Sequence, residues 1–340
     1  MWNNKHIVFY IYGGYAMFGK ISTIGNTPMI KINYEYKGKK KYIYTKLEYY
    51  NLTGSIKDRV AYYIINNAKK RGELKDRMPI IEATSGNTGI ALAALGSFYN
   101  HPVYIFMPDW VSKERIKLIK NYGANIILFS KEEGGFIRCV EEAKKMAKEQ
   151  NAFLANQFAS KDNFLAHYET TAEEIIKQVP EKIYGFVSGV GTGGTLMGTG
   201  KRLKEQFEDL KIVAIEPDKM PIISQCKIIA QHKIEGIGDE FVPDLVDRDS
   251  IDDIILVNDN DAINMSRRLA KELGLGVGIS SGANLIGSIL LNEKIDKPIV
   301  TVFADDNKKY LSTDLANDID ENEGFISNQI KLTGYEVIEK

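Results

Sequence analysis

The sequence predicts an α/β protein built on mostly parallel sheets, covered by helices on both faces and arranged as two closely apposed lobes. Three observations carry this. From about Tyr42 onward, short apolar β-type runs alternate with helical patterns, the order that builds parallel sheets by crossover. The 340 residues, 44% hydrophobic and 26% charged, are enough to bury two sizeable cores. No Pro/Gly/Ser-rich linker separates the halves, so two lobes must pack directly on one another.

In chain order, strands are expected at 42–46, 79–83, 103–107, 125–129, 153–156, 184–187, 212–216 and 299–304, each a short run rich in Ile, Val, Tyr or Phe. Helices are expected between them at 60–70, 90–99, 114–122, 136–150, 164–178, 261–273 and 283–293. The apolar run His6-Ile-Val-Phe-Tyr-Ile-Tyr12 is too short to span a bilayer, and no small-residue cleavage site follows it. Residues 1–16 are expected to be a non-native or disordered extension, with translation starting at Met17. Gly13-Gly14 would then mark a purine-rich ribosome-binding site read through as codons, and the mass of the native N-terminus checks this.

The net charge of −1 reserves no face for a polyanion, so no nucleic-acid partner is expected, and no membrane span either. Lys37-Gly-Lys-Lys-Lys41 reads as a solvated hairpin tip. Cys139 and Cys226 lack metal or redox spacing and read as inert buried thiols of a reducing, cytoplasmic compartment. His6, His101, His167 and His232 are scattered and give no metal signature.

Lys57 stands out. Thr53-Gly-Ser55 reads as a turn and cap before a helix, which puts Lys57 in the first turn, facing the positive end of the helix dipole with Arg59 two residues on. Both effects favour the neutral amine, which can attack a carbonyl carbon. The alternative is an ordinary solvated surface lysine. Two loops weigh against it. Thr84-Ser-Gly-Asn-Thr-Gly89 joins a strand to a helix N-terminus, and its N–H groups and hydroxyls can hold a carboxylate or phosphate. Ser188-Gly-Val-Gly-Thr-Gly-Gly-Thr195 again joins a strand to a helix, with glycines that let the backbone approach a phosphate. Gly189, Gly191 and Gly194 also satisfy a dinucleotide spacing, with Glu216 ending the next strand, so a dinucleotide is a rival ligand for that loop. It leaves Lys57 and the first loop without a role. A lysine, a carboxylate loop and a phosphate loop together suit pyridoxal phosphate chemistry on an amino acid.

With these motifs the chain resembles the cysteine synthase and cystathionine β-synthase group of fold-type II (tryptophan synthase β-like) pyridoxal phosphate enzymes, from Ile24-Gly-Asn-Thr-Pro28 to Tyr310-Leu-Ser-Thr313. The resemblance implies two doubly wound lobes: a large one from 17–54 plus 161–320 and a small one from 55–160, with 321–340 as a C-terminal tail. It implies that Lys57 is the Schiff-base lysine and removes the α-proton, and that Asn87 contacts the cofactor hydroxyl. By the same resemblance Gly191, Thr192, Gly193, Gly194 and Thr195 hold the phosphate. Thr84, Ser85, Thr88, Gln157 and Gly238 then meet the substrate, which loses its β-substituent to give an aminoacrylate. A homodimer is the usual assembly, and a serine acetyltransferase partner belongs only to a biosynthetic synthase. A haem-binding extension or regulatory domain does not fit the length.

Two positions depart from the family. In Glu235-Gly-Ile-Gly-Asp-Glu-Phe241, cysteine synthases usually carry a small residue where Asp239 stands and cystathionine β-synthases a tyrosine, so Asp239 or Glu240 is expected to project into the site. Two negative charges about 4 Å apart repel by roughly 4 kcal/mol at intermediate dielectric, which disfavours hydrosulfide as the incoming nucleophile. A carboxylate suits activation of water instead. The alternative is a cap or surface ion pair. In Phe303-Ala-Asp-Asp-Asn307, Asp306, or else Asp305, stands where the family puts a serine or threonine against the pyridine nitrogen. The leading expectation is release of hydrogen sulfide from cysteine with water adding to give serine. Cysteine synthesis from O-acetylserine, lanthionine or cystathionine formation, and a non-catalytic regulatory relative are the alternatives.

Overall fold

The computed structural model describes residues 21–317 and 324–339. The expected extension at 1–16 and the start at Met17 lie outside the described residues. β1 (Met29–Tyr36) and β2 (Lys39–Leu47) are joined by Lys37 and Gly38, with φ of 49° and 74°. Two consecutive positive φ values match the twist of a two-residue hairpin, so 37–40 form an exposed hairpin tip as expected, whereas Lys41 is drawn in by Glu293 and Asp296. Helix α1 (Lys57–Lys70) leads into β3 (Ile80–Ala83), α2 (Asn87–Tyr99), β4 (Val103–Pro108), α3 (Lys113–Asn121), β5 (Asn125–Phe129), α4 (Gly135–Glu149) and β6 (Phe153–Leu154). These strands form a parallel sheet in the order β5-β4-β3-β6. One face packs on α1, α2 and α3 through Ile64, Leu92 and Ile119, and the other on α4 through Ile81, Cys139 and Ala143.

The chain then crosses to the second lobe through α5 (Lys161–Ala166) and α6 (Ala172–Gln178), joined by a π-helical turn at His167–Thr171. There follow β7 (Gly185–Gly189), α7 (Gly200–Gln206), β8 (Lys211–Pro217), α8 (Ile222–Gln225), β9 (Asp253–Val257), α9 (Asp259–Leu273), α10 (Ile279–Ile295), β10 (Ile299–Phe303), α11 (Ile326–Gln329) and β11 (Ile330–Ile338). The seven-stranded sheet runs β11-β1-β2-β10-β7-β8-β9, antiparallel at β1 and parallel from β2 to β9. Successive residues serve opposite faces. Val213 and Ile215 join the core under α9 and α10, while Ile212 and Ala214 join the one under α6 and α7.

Three strands go beyond the sequence expectation. β1, β9 and β11 all belong to the large sheet. β11 lies in the stretch assigned to a C-terminal tail, yet it pairs with β1 along its length. Its pattern hides it: only Ile330 and Leu332 are buried, and Gly334 interrupts the run. Cys226 is a correction. Cys139 is buried as expected, but Cys226 is exposed, because it ends the short α8 in a left-handed conformation with its thiol turned to Arg248. Among the described residues no His, Cys, Asp and Glu are grouped to hold a metal ion, and no helix is long and apolar enough to cross a membrane.

Candidate active site

In open α/β sheets, ligands lie beyond the carboxyl ends of the parallel strands. Here the ends of β3, β7 and β10 open on one cavity between the lobes, about 80 Å³ in volume, which widens into a vestibule of about 420 Å³. Lys57, Thr84, Ser85, Asn87, Thr88, Gln157, Gly191, Thr192, Gly193, Thr195 and Asp239 all line the inner cavity. Gly238 and Glu240 line only the vestibule, and Gly194 packs behind the loop against Asn163.

Lys57 opens α1, and its backbone N–H donates to Ser55 Oγ at 3.3 Å. No side chain caps this helix in the strict sense: Ile56 precedes it, and Asp58 instead accepts from Thr53 N and Oγ1 at 2.8 and 2.6 Å. Burial lowers the pKa of Lys57, while the nearby charges of Asp239 and Asp305 pull it back up. Arg59 is not the cause. Its guanidinium turns away and is neutralised by Glu48 and Glu174 at 2.6–2.8 Å, in a buried network that also holds Lys46.

The carboxylate loop is fixed from below. Thr88 Oγ1 donates to Gln157 Oε1 at 2.5 Å, and Gln157 N donates to Glu82 Oε2 at 3.0 Å. Burial pushes the Glu82 carboxyl up to about 8, against two backbone N–H donors. Gly86 N donates to Thr84 Oγ1 at 3.1 Å, and a Cβ at Gly86 would strike the Arg115 side chain. Asn87 Nδ2 donates to Asp305 Oδ2 at 2.7 Å, while its Oδ1 is buried without a partner.

The phosphate loop follows β7. A Cβ at Gly191 would collide with the Gly236 carbonyl oxygen, and Gly193 takes φ of 86°, so both positions require glycine. Asn284 holds the strand end: its Oδ1 accepts from Gly189 N at 2.7 Å and its Nδ2 donates to Val302 O at 2.9 Å. Glu216 removes the dinucleotide reading. Its buried carboxylate accepts from Ile223 N and Ser224 N at 2.5 and 3.0 Å, closing the start of α8, and is not free for a ribose.

Asp239 faces the cavity and Glu240 does not. Burial and the neighbouring Glu240 push the Asp239 carboxyl up to about 6, opposed by Lys57. Asp306 is misplaced in the sequence reading. It does not line the cavity, because its Oδ1 accepts from Lys308 N at 3.1 Å and starts the short turn Asn307–Tyr310. Asp305 is the buried member of the pair, accepting from Asn87 and, at 2.6 Å, from Tyr310 Oη. Ser280, at the N-terminus of α10, is a further hydroxyl residue that does line the cavity. Gly278-Ile-Ser-Ser-Gly282 opens that helix with the same small polar signature as the other two loops, and was legible in principle.

An amine beside a wall of amides and hydroxyls, with an orphan acceptor at Asn87, fits pyridoxal phosphate: Lys57 for its aldehyde, Asn87 for its hydroxyl and 191–195 for its phosphate. The comparisons agree on the cofactor. Residues 21–305 match the family model described as pyridoxal-phosphate dependent enzyme. A probable cysteine synthase of Bacillus subtilis (strain 168) is 41% identical over 298 residues, 86% of this chain and 95% of that protein. The crystal structure of a hydrogen sulfide-producing enzyme from Fusobacterium nucleatum is 51% identical, covering 92% of this chain and 95% of that one with a TM-score of 0.88. An aspartate-to-asparagine mutant of that enzyme, complexed with an α-aminoacrylate intermediate, is 50% identical with a TM-score of 0.89 over the same shares of the two chains. The chain therefore belongs to the pyridoxal-phosphate dependent enzymes, and within them to the cysteine synthase family.

Proposed function

We propose that this enzyme converts L-cysteine and water into L-serine and hydrogen sulfide. The observation that carries this is Asp239 on the wall of the inner cavity, with its charge close enough to Lys57 to act on it. When bound, pyridoxal phosphate supplies an electron sink for the electrons left at the substrate Cα. Thr84, Ser85, Thr88 and Gln157 hold the substrate carboxylate. Lys57 Nζ, with its basicity reduced by burial, takes the proton from Cα and the β-sulfur leaves as hydrosulfide. Asp239 then orients a water molecule toward Cβ and accepts its proton, and it repels returning hydrosulfide. Ser280, which lines the cavity, would meet the pyridine nitrogen in place of Asp306, which does not line it.

Purified protein incubated with cysteine alone tests this. Sulfide with serine supports it, and sulfide with pyruvate and ammonia reduces it to simple elimination. No turnover until O-acetylserine and sulfide are supplied restores the synthase, the second reading, which the Bacillus relative's name favours. A homodimer in the cytoplasm, without an acyltransferase partner, is part of the same proposal, and light scattering checks the assembly.

A further inference from the structure

We infer that Asn163 is a positioning residue that ties the substrate-carboxylate arm to the phosphate loop, so that filling one site tightens the other. This rests on the assignment above of Thr88 and Gln157 to the carboxylate and of 191–195 to the phosphate. Asn163 lies in α5 and is fully buried. Its Nδ2 donates to the Gln157 carbonyl oxygen at 2.9 Å and to Thr192 Oγ1 at 2.8 Å. Gln157 follows the strands of the small sheet and Thr192 follows β7 of the large one, so a single amide bridges the lobes.

Hydrogen bonding fixes the sense of this bridge. Only the amide NH2 can donate to two acceptors, which sets the orientation of Asn163. Thr192 Oγ1 accepts from Asn163 and, at 3.4 Å, from Gly194 N. Its own proton is then directed to a third partner, and Thr192 lines the cavity. The Asn163 Oδ1 is buried without a partner against Gly194, where a Cβ would collide with it. On the other side, Asn156 takes φ of 48°, so the turn that presents Gln157 is held in a left-handed conformation. A donor lost in such a buried place leaves two buried acceptors unpaired, so a shift at Gln157 is felt at Thr192. Linkage makes that coupling reciprocal.

The test uses holoenzyme. Release of pyridoxal phosphate is followed by its absorbance, with and without saturating 3-hydroxypropionate, which has the serine carboxylate but no amine to displace Lys57, in the native protein and in Asn163→Leu, which keeps the size but cannot donate to Gln157 or Thr192. The carboxylate is expected to slow release about tenfold in the native protein, the scale of one buried hydrogen bond, and to lose that effect in the variant. Equal slowing in both proteins overturns the inference. No slowing in the native protein overturns the site assignment beneath it. Hydrogen exchange on native holoenzyme needs no variant: 3-hydroxypropionate is expected to protect 157–163 and 191–195 together, and protection of 157–163 alone overturns the bridge.

Discussion

In the proposed mechanism Lys57 and Asp239 divide the chemistry between two side chains whose proton affinities are moved by the same burial. Burial makes the amine of Lys57 easier to deprotonate and the carboxyl of Asp239 harder, toward about 6. Asp239 acts as its base form, so serine formation is expected to rise as pH rises through about 6, roughly tenfold per unit on the acid side. Glu240 raises that value, so Glu240→Gln is expected to move the acid limb to lower pH; an unmoved limb in the pH–rate profile detaches it from Asp239. Asp239→Asn is expected to abolish serine formation while the bound cofactor still responds spectroscopically to cysteine. Unchanged serine output removes Asp239 from the mechanism. At this scale the sequence singled out Lys57 and Asp239, which both line the cavity, but it named Arg59 as a cause at Lys57 where burial is the cause. It was read wrongly at Asp306, because neighbouring aspartates in a loop differ only by the direction of the chain, which composition does not encode.

Each element carries its functional residue at one end and its anchorage elsewhere. Helix α1 holds Lys57 toward the cavity and Arg59 away from it, locked to Glu48 and Glu174. Removing one partner of a buried ion pair strands the other, so Arg59→Leu is expected to cost about 3–5 kcal/mol, read as a lower denaturant midpoint. The same pair has a pH signature. Burial alone would raise the Glu48 carboxyl, but Arg59 and Lys46 bring it down from 4.5 to about 2. A depressed folded-state value means this stabilisation is complete above the unfolded value and is lost as pH falls from 4.5 toward 2. The native protein is therefore expected to lose stability in that window, and Arg59→Leu to show a shallower loss. In the phosphate loop, Gly191→Ala meets the Gly236 carbonyl and is expected to weaken cofactor binding at least tenfold, seen by titration of the apoenzyme. The glycine loops were legible because close backbone approach leaves no alternative residue. β11 was not, since an edge strand with one buried end has almost no alternation to read.

For the whole molecule, two sheets with parallel strands aim their carboxyl ends at a shared cleft, and neither sheet alone completes the site. That architecture was legible from the alternation of strands and helices. The pairing order was not, because parallel strands meet by crossover and adjacent partners such as β2 and β10 lie far apart in sequence. The cleft brings Asp239 together with the Thr84–Gly89 loop, and the central claim is that water enters there. The most direct test is turnover of L-cysteine in water labelled with heavy oxygen, with the products examined by mass spectrometry. Serine carrying one labelled oxygen in its hydroxyl, formed in step with sulfide, is the expected result. Unlabelled serine, or sulfide accompanied only by pyruvate and ammonia, would contradict the account.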